Sequence, residues 1–250
     1  MTTHTDTAVA KPLAGRVTLV TGASRGIGYQ AALALASAGS HIIATARTQG
    51  GLEDLDDAIR ADGGECTIVP MDIKQADGID QLGAIIHKRW GHLDGLLANA
   101  GQLGEMAPIP HITPKTWEET FAVNVTANFR LIRSLDTLLR ASPAGRAVFM
   151  SSKAAQSRKA YWGLYAASKS ALDAMVQSYA QETEQTNLRV NLVNPGPVRT
   201  QMRAKAMPGE DPDTLPTPAD MAKLLVPLLS PAWETHGEII DFREKTQRPN

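Results

Sequence analysis

The sequence has one cysteine, Cys66, among 250 residues. A lone thiol cannot form an intrachain disulfide or a thiolate metal cluster, which excludes the disulfide-stapled and zinc-ribbon classes. The six histidines are scattered, and the closest pair, His87 and His92, are five residues apart. That spacing fits one helix face poorly, so we interpret both as surface residues and predict no metal site.

Long apolar runs and an excess of one charge are also missing. No segment approaches the roughly 20 apolar residues that a membrane-spanning helix needs. The net charge of −1 gives no electrostatic reason to expect nucleic acid or an anionic membrane as a partner. Residues 1–15 are polar and lack the features of a secretory signal, so we expect a mobile tail on a soluble cytoplasmic protein.

Short apolar segments rich in β-branched residues alternate with longer segments of helical periodicity. This alternation predicts an α/β fold, a three-layer doubly wound Rossmann fold with a mainly parallel sheet of about seven strands. With no shift in composition along the chain, we expect residues 16–250 to form a single domain. The predicted strands are 17–21, 41–46, 65–70, 96–98, 146–150, 189–192 and 238–241. The predicted helices are 29–38, 52–61, 75–90, 114–139, 165–185 and 218–229.

Residues 199–217 interrupt the alternation, because they are polar and rich in proline and methionine. They follow the carboxyl end of a predicted strand, where doubly wound sheets bind ligands. A long insertion there is either a lid over a site or a disordered surface loop, and the sequence leaves both open. Arg199 and Arg203 could meet an anionic group or face water. An apolar wall is suggested by three further side chains: Met202, Met207 and Leu215.

A glycine-rich turn, Thr21-Gly-Ala-Ser-Arg-Gly-Ile-Gly28, joins the first predicted strand to the first predicted helix. Gly22, Gly26 and Gly28 let the backbone turn sharply and approach a ligand closely. The start of the helix offers free N–H groups and the positive end of its dipole to phosphate. Tight strand–helix turns need glycine anyway, but the strand–turn–helix context favours a dinucleotide site.

Tyr165 and Lys169 are four residues apart, which places both side chains on one helix face. A phenol held beside an ammonium group is a candidate acid–base unit. Lowering a tyrosine pKa from ~10 to ~7 needs about 4 kcal/mol of preference for the anion. One cation about 4 Å away supplies roughly that at an effective dielectric of ~20, but burial opposes it. We therefore expect a second group to help.

Several motifs stand in one order, and together they resemble the classical short-chain dehydrogenase/reductase (SDR) family over about residues 13–240. They are Thr21-Gly-x-x-x-Gly-x-Gly28, Asn99-Ala-Gly101, Asn124, Ser152, Tyr165-x-x-x-Lys169 and Pro195-Gly196. A narrower resemblance, to YciK-like bacterial SDRs, is carried by 99–104, 199–203 and 217–220. The chain departs from many SDRs after the last strand, where Asp241-Phe-Arg-Glu replaces a glycine pair. This departure puts the substrate-pocket and subunit contacts of that segment in doubt.

The resemblance implies roles for four residues. Tyr165 would be the general acid/base, and Lys169 would lower its pKa and hold the nicotinamide ribose. Ser152, rather than its neighbour Ser151, would hydrogen-bond the substrate oxygen, and Asn124 would hold a water in a proton relay to Lys169. The positive charge of an oxidised nicotinamide ring would be the second group that the pKa argument requires.

The same resemblance implies the residues that hold the cofactor. The glycine turn would bind the pyrophosphate and its ribose, Asp72 would lie near the adenine, and Pro195 would lie at the carboxamide end. The full implied set is Gly22, Ser24, Arg25, Gly26, Ile27, Gly28, Arg47, Asp72, Ile73, Asn99, Ala100, Gly101, Tyr165, Lys169, Pro195, Gly196, Val198 and Thr200.

The choice between NAD and NADP depends on the end of the second predicted strand. Sites that prefer NAD usually carry an acid there to bind the ribose hydroxyls. This chain has Arg47 at that point and no acid until Glu53, and Arg25 lies in the glycine turn. Two guanidinium groups without a carboxylate suit a 2′-phosphate, so we predict a preference for NADP(H).

These features predict an NADP(H)-dependent oxidoreductase that acts on a carbonyl or secondary alcohol of a small-molecule substrate. Two alternatives are an SDR-fold epimerase or dehydratase, whose chains are usually longer, and a cofactor-binding sensor or scaffold with little catalysis. Such sensors typically lose the tyrosine or the lysine, and both are present here. The resemblance also implies a homodimer or homotetramer built on the helices predicted at 114–139 and 165–185.

Overall fold

The computed structural model describes residues 11–243, and its strands and helices alternate along the chain. The strands are β1 (Val17–Thr21), β2 (His41–Ala46), β3 (Cys66–Pro70), β4 (Gly95–Ala98), β5 (Arg146–Met150), β6 (Arg189–Asn194) and β7 (Ile239–Asp241). The α-helices are α1 (Gly26–Ser37), α2 (Gln49–Ala61), α3 (Ala76–Trp90), α4 (Pro114–Phe121), α5 (Ala127–Ala141), α6 (Ala154–Ser157), α7 (Gly163–Thr183), α8 (Gln201–Ala206) and α9 (Pro218–Leu228).

The strands form a parallel seven-stranded sheet in the order β3-β2-β1-β4-β5-β6-β7. From β1 the chain adds β2 and then β3 on one side of the sheet. It then crosses to the other side of β1, where it adds β4 to β7 in turn. The segments that follow β1 and β4 therefore diverge at the carboxyl edge of the sheet, which is where open α/β sheets form a binding crevice. The predicted doubly wound fold is confirmed.

Alternate side chains of the strands face two separate apolar clusters, as the period of a β-strand requires. On one face Val20, Ile42 and Val148 pack with buried residues of α1, α2 and α9. On the other, Leu19 and Phe149 pack with buried residues of α3, α5 and α7. Because both faces are covered, the strands read as continuous apolar runs in the sequence.

The prediction of a mobile tail over residues 1–15 is wrong at its carboxyl end. Leu13 is fully buried in the cluster of α1, α2 and α9, and its backbone N–H donates to the carbonyl of Ala38 at 2.9 Å. Burial of this leucine fixes residues 11–15 in a turn ahead of β1. The rest of the predicted tail, residues 1–10, lies outside the described residues.

The single helix predicted over 114–139 is interrupted. A wide π-helical turn, Ala122–Thr126, separates α4 from α5 and contains the buried side chain of Asn124. Apolar periodicity continues through such a turn, so the pattern did not reveal it. Such turns occur frequently at functional sites.

The segment over 199–217 has regular structure, which argues against a disordered loop. It contains α8 and a short 3-10 turn, Pro212–Thr214, and Leu215 is buried. Thr200 caps α8 by accepting a hydrogen bond from the N–H of Arg203 at 3.1 Å. Whether this segment works as a lid remains a prediction. No helix within the described residues is long and apolar enough to cross a bilayer.

Candidate active site

A cavity of about 650 Å³ opens at the carboxyl edge of the sheet, where β1 and β4 diverge. Its walls come from the turn after β1, the ends of β2 and β3, the segment after β4, and α8. The cavity is large enough for a cofactor or a drug-sized ligand. The sheet topology therefore forms a cavity at the place where the sequence motifs predict a binding site.

The glycine turn is packed too closely to accept side chains. Gly22 and Gly26 have φ angles of 67° and 60°, in the left-handed region that glycine tolerates best. A Cβ on Gly28 would lie 2.3 Å from the carbonyl oxygen of Gly22 and 2.5 Å from Nδ2 of Asn99. Helix α1 begins at Gly26 without a side-chain cap, so its first N–H groups remain available to a ligand. The turn fits a bound phosphate.

Thr21 and Asn99 join the two loops that diverge at the crevice. The hydroxyl oxygen of Thr21 accepts hydrogen bonds from the backbone N–H groups of Asn99 and Ala100, at 3.0 and 2.9 Å. In return Nδ2 of Asn99 donates to the carbonyl oxygens of Thr21 and Gly22, at 2.9 and 3.3 Å. The asparagine side chain thus fixes the backbone of the glycine turn.

Two exposed arginines line the same cavity. Arg25 comes from the glycine turn and Arg47 follows β2. Nη1 of Arg25 donates to Oε1 of Gln201, the first residue of α8, at 3.1 Å. Within residues 11–243 neither guanidinium has a carboxylate within ion-pair distance. Asp72, also on the cavity wall, has Lys74 at 3.6 Å. The two guanidinium groups, neither of which is paired with a carboxylate, fit an anionic group such as a 2′-phosphate.

Tyr165 is buried on α7, with 8% of its surface exposed. Burial is the largest influence on its phenol and raises the pKa to about 12, with the Asp173 carboxylate adding to the increase. A hydrogen bond from Ser152 acts in the opposite direction and lowers the pKa. The protein's own groups therefore keep this phenol protonated at neutral pH.

Lys169 follows Tyr165 by one helical turn and is also buried, with Nζ 5.9 Å from the centre of the tyrosine ring. Its Nζ donates to the carbonyl oxygen of Met150 at 2.7 Å. Burial lowers the pKa of the ammonium to about 8, against the opposing effect of Asp173. Asp173 in turn accepts a hydrogen bond from Ser151 at 2.5 Å, so Ser151 faces this carboxylate.

Asn124 is fully buried and joins three segments of the site. Its amide pairs with the backbone of Gln102, accepting from the N–H and donating to the carbonyl, both at 2.9 Å. Nδ2 also donates to the hydroxyl of Ser168 on α7 at 3.0 Å. A Cβ on Gly101 would lie 3.4 Å from Oδ1 of Asn124 and 3.7 Å from Nζ of Lys169, so both side chains adjoin this glycine.

Most of the residues that the sequence assigned to the cofactor line the cavity. These are Gly22, Ser24, Arg25, Gly26, Ile27, Arg47, Asp72, Ile73, Asn99, Ala100, Gly101 and Thr200. The predicted residues that do not line it are Gly28, Asn124, Ser152, Tyr165, Lys169, Pro195, Gly196 and Val198. Of these, Gly28 underlies the turn, Tyr165 and Lys169 are buried behind the wall, and Val198 is buried at 3% exposure.

The sequence also left out several residues of the cavity wall. Leu103 and Glu105 come from the segment after β4, and Gln201 and Lys205 come from α8. Met202 of α8, which the sequence suggested as part of an apolar wall, also lines the cavity. The motif Asn99-Ala-Gly-Gln-Leu-Gly104 ran through the first of these segments, but no spacing rule indicated which side chains face the cavity. No group of three histidine, cysteine or acidic side chains suited to a metal occurs in the described part of the chain.

Comparison with known proteins agrees with this architecture. Residues 16–211 match the family model for short chain dehydrogenases. The uncharacterised oxidoreductase YciK of Escherichia coli K12 is 41% identical over 217 residues, 86% of each chain. A short chain dehydrogenase of Shigella flexneri 2a, solved with NADP, is 38% identical with a TM-score of 0.89, covering 93% of this chain and 99% of its own. Another from E. coli CFT073, solved with NADPH, is 39% identical with a TM-score of 0.89 and covers 93% and 98%.

Replacement of Gly28 by alanine tests the packing of the glycine turn. Because the new Cβ would meet backbone at 2.3 Å, we expect the turn to shift and dinucleotide affinity to fall about tenfold or more. The measurement is a fluorescence titration of NADPH. Gly50→Ala is the matched control, since a Cβ there meets nothing within 4 Å and its affinity should stay unchanged. Equal affinities for the two variants would contradict the expectation.

Proposed function

This chain belongs to the short-chain dehydrogenase family, and we propose that it is an NADP(H)-dependent oxidoreductase of a carbonyl or secondary alcohol. The observation that carries the proposal is the arrangement on α7. Tyr165 and Lys169 lie buried on one helix face, next to Leu103 and Gly101 of a cavity that the glycine turn also lines. A protonated phenol and a dinucleotide site are the two parts that carbonyl reduction requires.

In the proposed reduction, Tyr165 donates its proton to the substrate oxygen. The Ser152 hydroxyl, whose hydrogen bonding lowers the pKa of the phenol, orients the same oxygen and stabilises the charge that develops on it. When bound, the nicotinamide supplies the hydride to the carbonyl carbon or, in its oxidised form, takes one back and carries a positive charge near the phenol. The carbonyl thereby gains a hydride and a proton and becomes an alcohol.

Lys169 and Asn124 support this chemistry. The buried ammonium of Lys169 favours the phenolate that remains after proton transfer, and the same group is positioned to bind ribose hydroxyls. Asn124 holds the segment after β4 against α7 through Gln102 and Ser168. We propose that this junction also carries the proton relay that replenishes Tyr165. Arg25 and Arg47 bind the 2′-phosphate, which two related proteins solved with NADP or NADPH support.

Removal of the Tyr165 hydroxyl tests the proposed acid. We expect Tyr165→Phe to lower kcat for carbonyl reduction by about 10² to 10⁴, because the variant loses the group that is proposed to give its proton to the substrate oxygen. The dissociation constant for NADPH should change by less than about threefold. Tyr161→Phe is the matched control, since that side chain is 60% exposed, and it should keep wild-type turnover. Full activity in Tyr165→Phe would refute the mechanism. If the wild-type protein bound NADPH but reduced no compound of a wide carbonyl panel, the alternative of a cofactor-binding sensor or scaffold would be favoured.

Reversal of charge at Arg47 tests the cofactor assignment. A charge-assisted hydrogen bond contributes about 1.5–3 kcal/mol, so Arg47→Asp should lower the NADPH:NADH affinity ratio by about 10- to 100-fold. Affinities are read by direct titration of each dinucleotide. Lys88→Asp applies the same charge change to an exposed residue of α3 that does not line the cavity, and its ratio should stay as in the wild type. An unchanged ratio in Arg47→Asp would mean that the assignment is wrong.

We further propose a homo-oligomer that pairs the α4–α5 face of two chains. Trp117 and Phe129 are 39% and 50% exposed there, and Trp117 stacks on Phe121 with ring centres 4.8 Å apart. Light scattering should give a dimer or tetramer mass for the wild type. Phe129→Asp should shift that mass toward the monomer, because it places a carboxylate in an apolar contact. A monomer mass for the wild type would contradict the proposal.

A further inference from the structure

The phenol of Tyr165 lies in an apolar enclosure built from four separate segments. Leu103 and Ala154 pack on it as buried residues, and three partly buried side chains complete the cluster: Met106, Trp162 and Ala206. The Trp162 ring stands at 63° to the Tyr165 ring, with centres 6.1 Å apart. Ala206 comes from α8, so the 199–217 segment contributes to this enclosure.

The two arginines of the 199–217 segment, one just before α8 and one within it, are already paired with carboxylates of the same segment. Nε and Nη2 of Arg203 both donate to the carboxylate of Glu210, the second at 2.6 Å, and each side chain of this pair is only 24% exposed. Nη1 of Arg199 lies 3.0 Å from the carboxylate of Asp213. A substrate anion would have to displace these carboxylates, so neither arginine offers a ready site for one.

The charged side chains of the cavity wall beside the enclosure include no excess of cations. Glu105 lies two residues after Leu103, Lys205 lies one residue before Ala206, and Glu119 lies on α4. All three line the cavity, so this part of the wall carries two negative charges and one positive charge. Arg25 and Arg47 lie at the glycine turn and the end of β2, where the cofactor phosphate is proposed to bind. The wall near the enclosure therefore does not favour an anionic substrate.

We propose that the substrate is an uncharged carbonyl compound whose carbonyl bears a bulky apolar group, preferably an aryl ring, bound against Trp162. This inference rests on the proposed function, because it takes Tyr165 as the proton donor. Burying a carboxylate beside Tyr165 is costly, because the ammonium of Lys169 there already donates to the carbonyl oxygen of Met150 and is offset by the Asp173 carboxylate. Each apolar Å² removed from water is favourable in contrast. An aryl ring gains further from edge-to-face contact with the indole.

Three small carbonyl compounds separate the effects of charge and ring. 1-Phenylpropane-1,2-dione is an uncharged aryl diketone, phenylglyoxylate replaces its methyl ketone by a carboxylate, and butane-2,3-dione replaces its phenyl by methyl. We expect kcat/KM, followed by loss of NADPH, to be at least about tenfold higher for the phenyl dione than for either analogue. Equal or better use of phenylglyoxylate or of butanedione would overturn the proposal.

Variants of Trp162 test which wall binds the ring. Trp162→Ala should lower kcat/KM for the phenyl dione about tenfold more than for butanedione, and Trp162→Phe should restore most of the difference. An equal loss on both substrates in Trp162→Ala would overturn the assignment of this wall.

Turnover of 2-oxo acids or sugars with no turnover of the diones would refute the substrate class and leave the proposed function intact. No turnover of any carbonyl by protein that binds NADPH would refute both.

Discussion

The reciprocal hydrogen bonds between Thr21 and Asn99 fix the geometry on which the site depends. They join the backbone that follows β1 to the backbone that follows β4 at the point where the sheet diverges. Each of these hydrogen bonds crosses from one loop to the other. With them the glycine turn is held open to a phosphate on one side, and the segment leading to Gln102 is held against Asn124 on the other. The same pair of side chains therefore holds both the glycine turn and the segment that contacts Asn124.

The sequence predicted those features whose cause is local. The glycine turn follows from a strand, three glycines and a helix start, and the parallel sheet follows from alternating apolar segments. Tyr165 and Lys169 share a helix face because their spacing alone requires it once α7 forms. Strand limits were also accurate where the apolar run ended sharply, as at β1 and β5.

The features that the sequence did not predict depend on contacts between distant segments. The π-helical turn is associated with hydrogen bonds that Asn124 donates to Gln102 and Ser168, which are 22 and 44 residues away. The burial of Leu13 depends on packing against helices that follow it.

The pKa of Tyr165 also differs from what the spacing of Tyr165 and Lys169 suggested. Burial outweighs the favourable hydrogen bond and keeps the pKa at about 12, so the lysine spacing alone does not set it.

The hydrogen bond between Arg25 and Gln201 has a thermodynamic consequence for the two ligands of such a site. It joins the glycine turn to the first residue of the helix that ends at Ala206, beside Tyr165. A phosphate that moved Arg25 would therefore also act on α8. Linkage is reciprocal, so a ligand that stabilised α8 through this contact would change dinucleotide affinity by the same factor. Under the proposed function, this one side-chain contact would couple the free energies of binding of the two ligands.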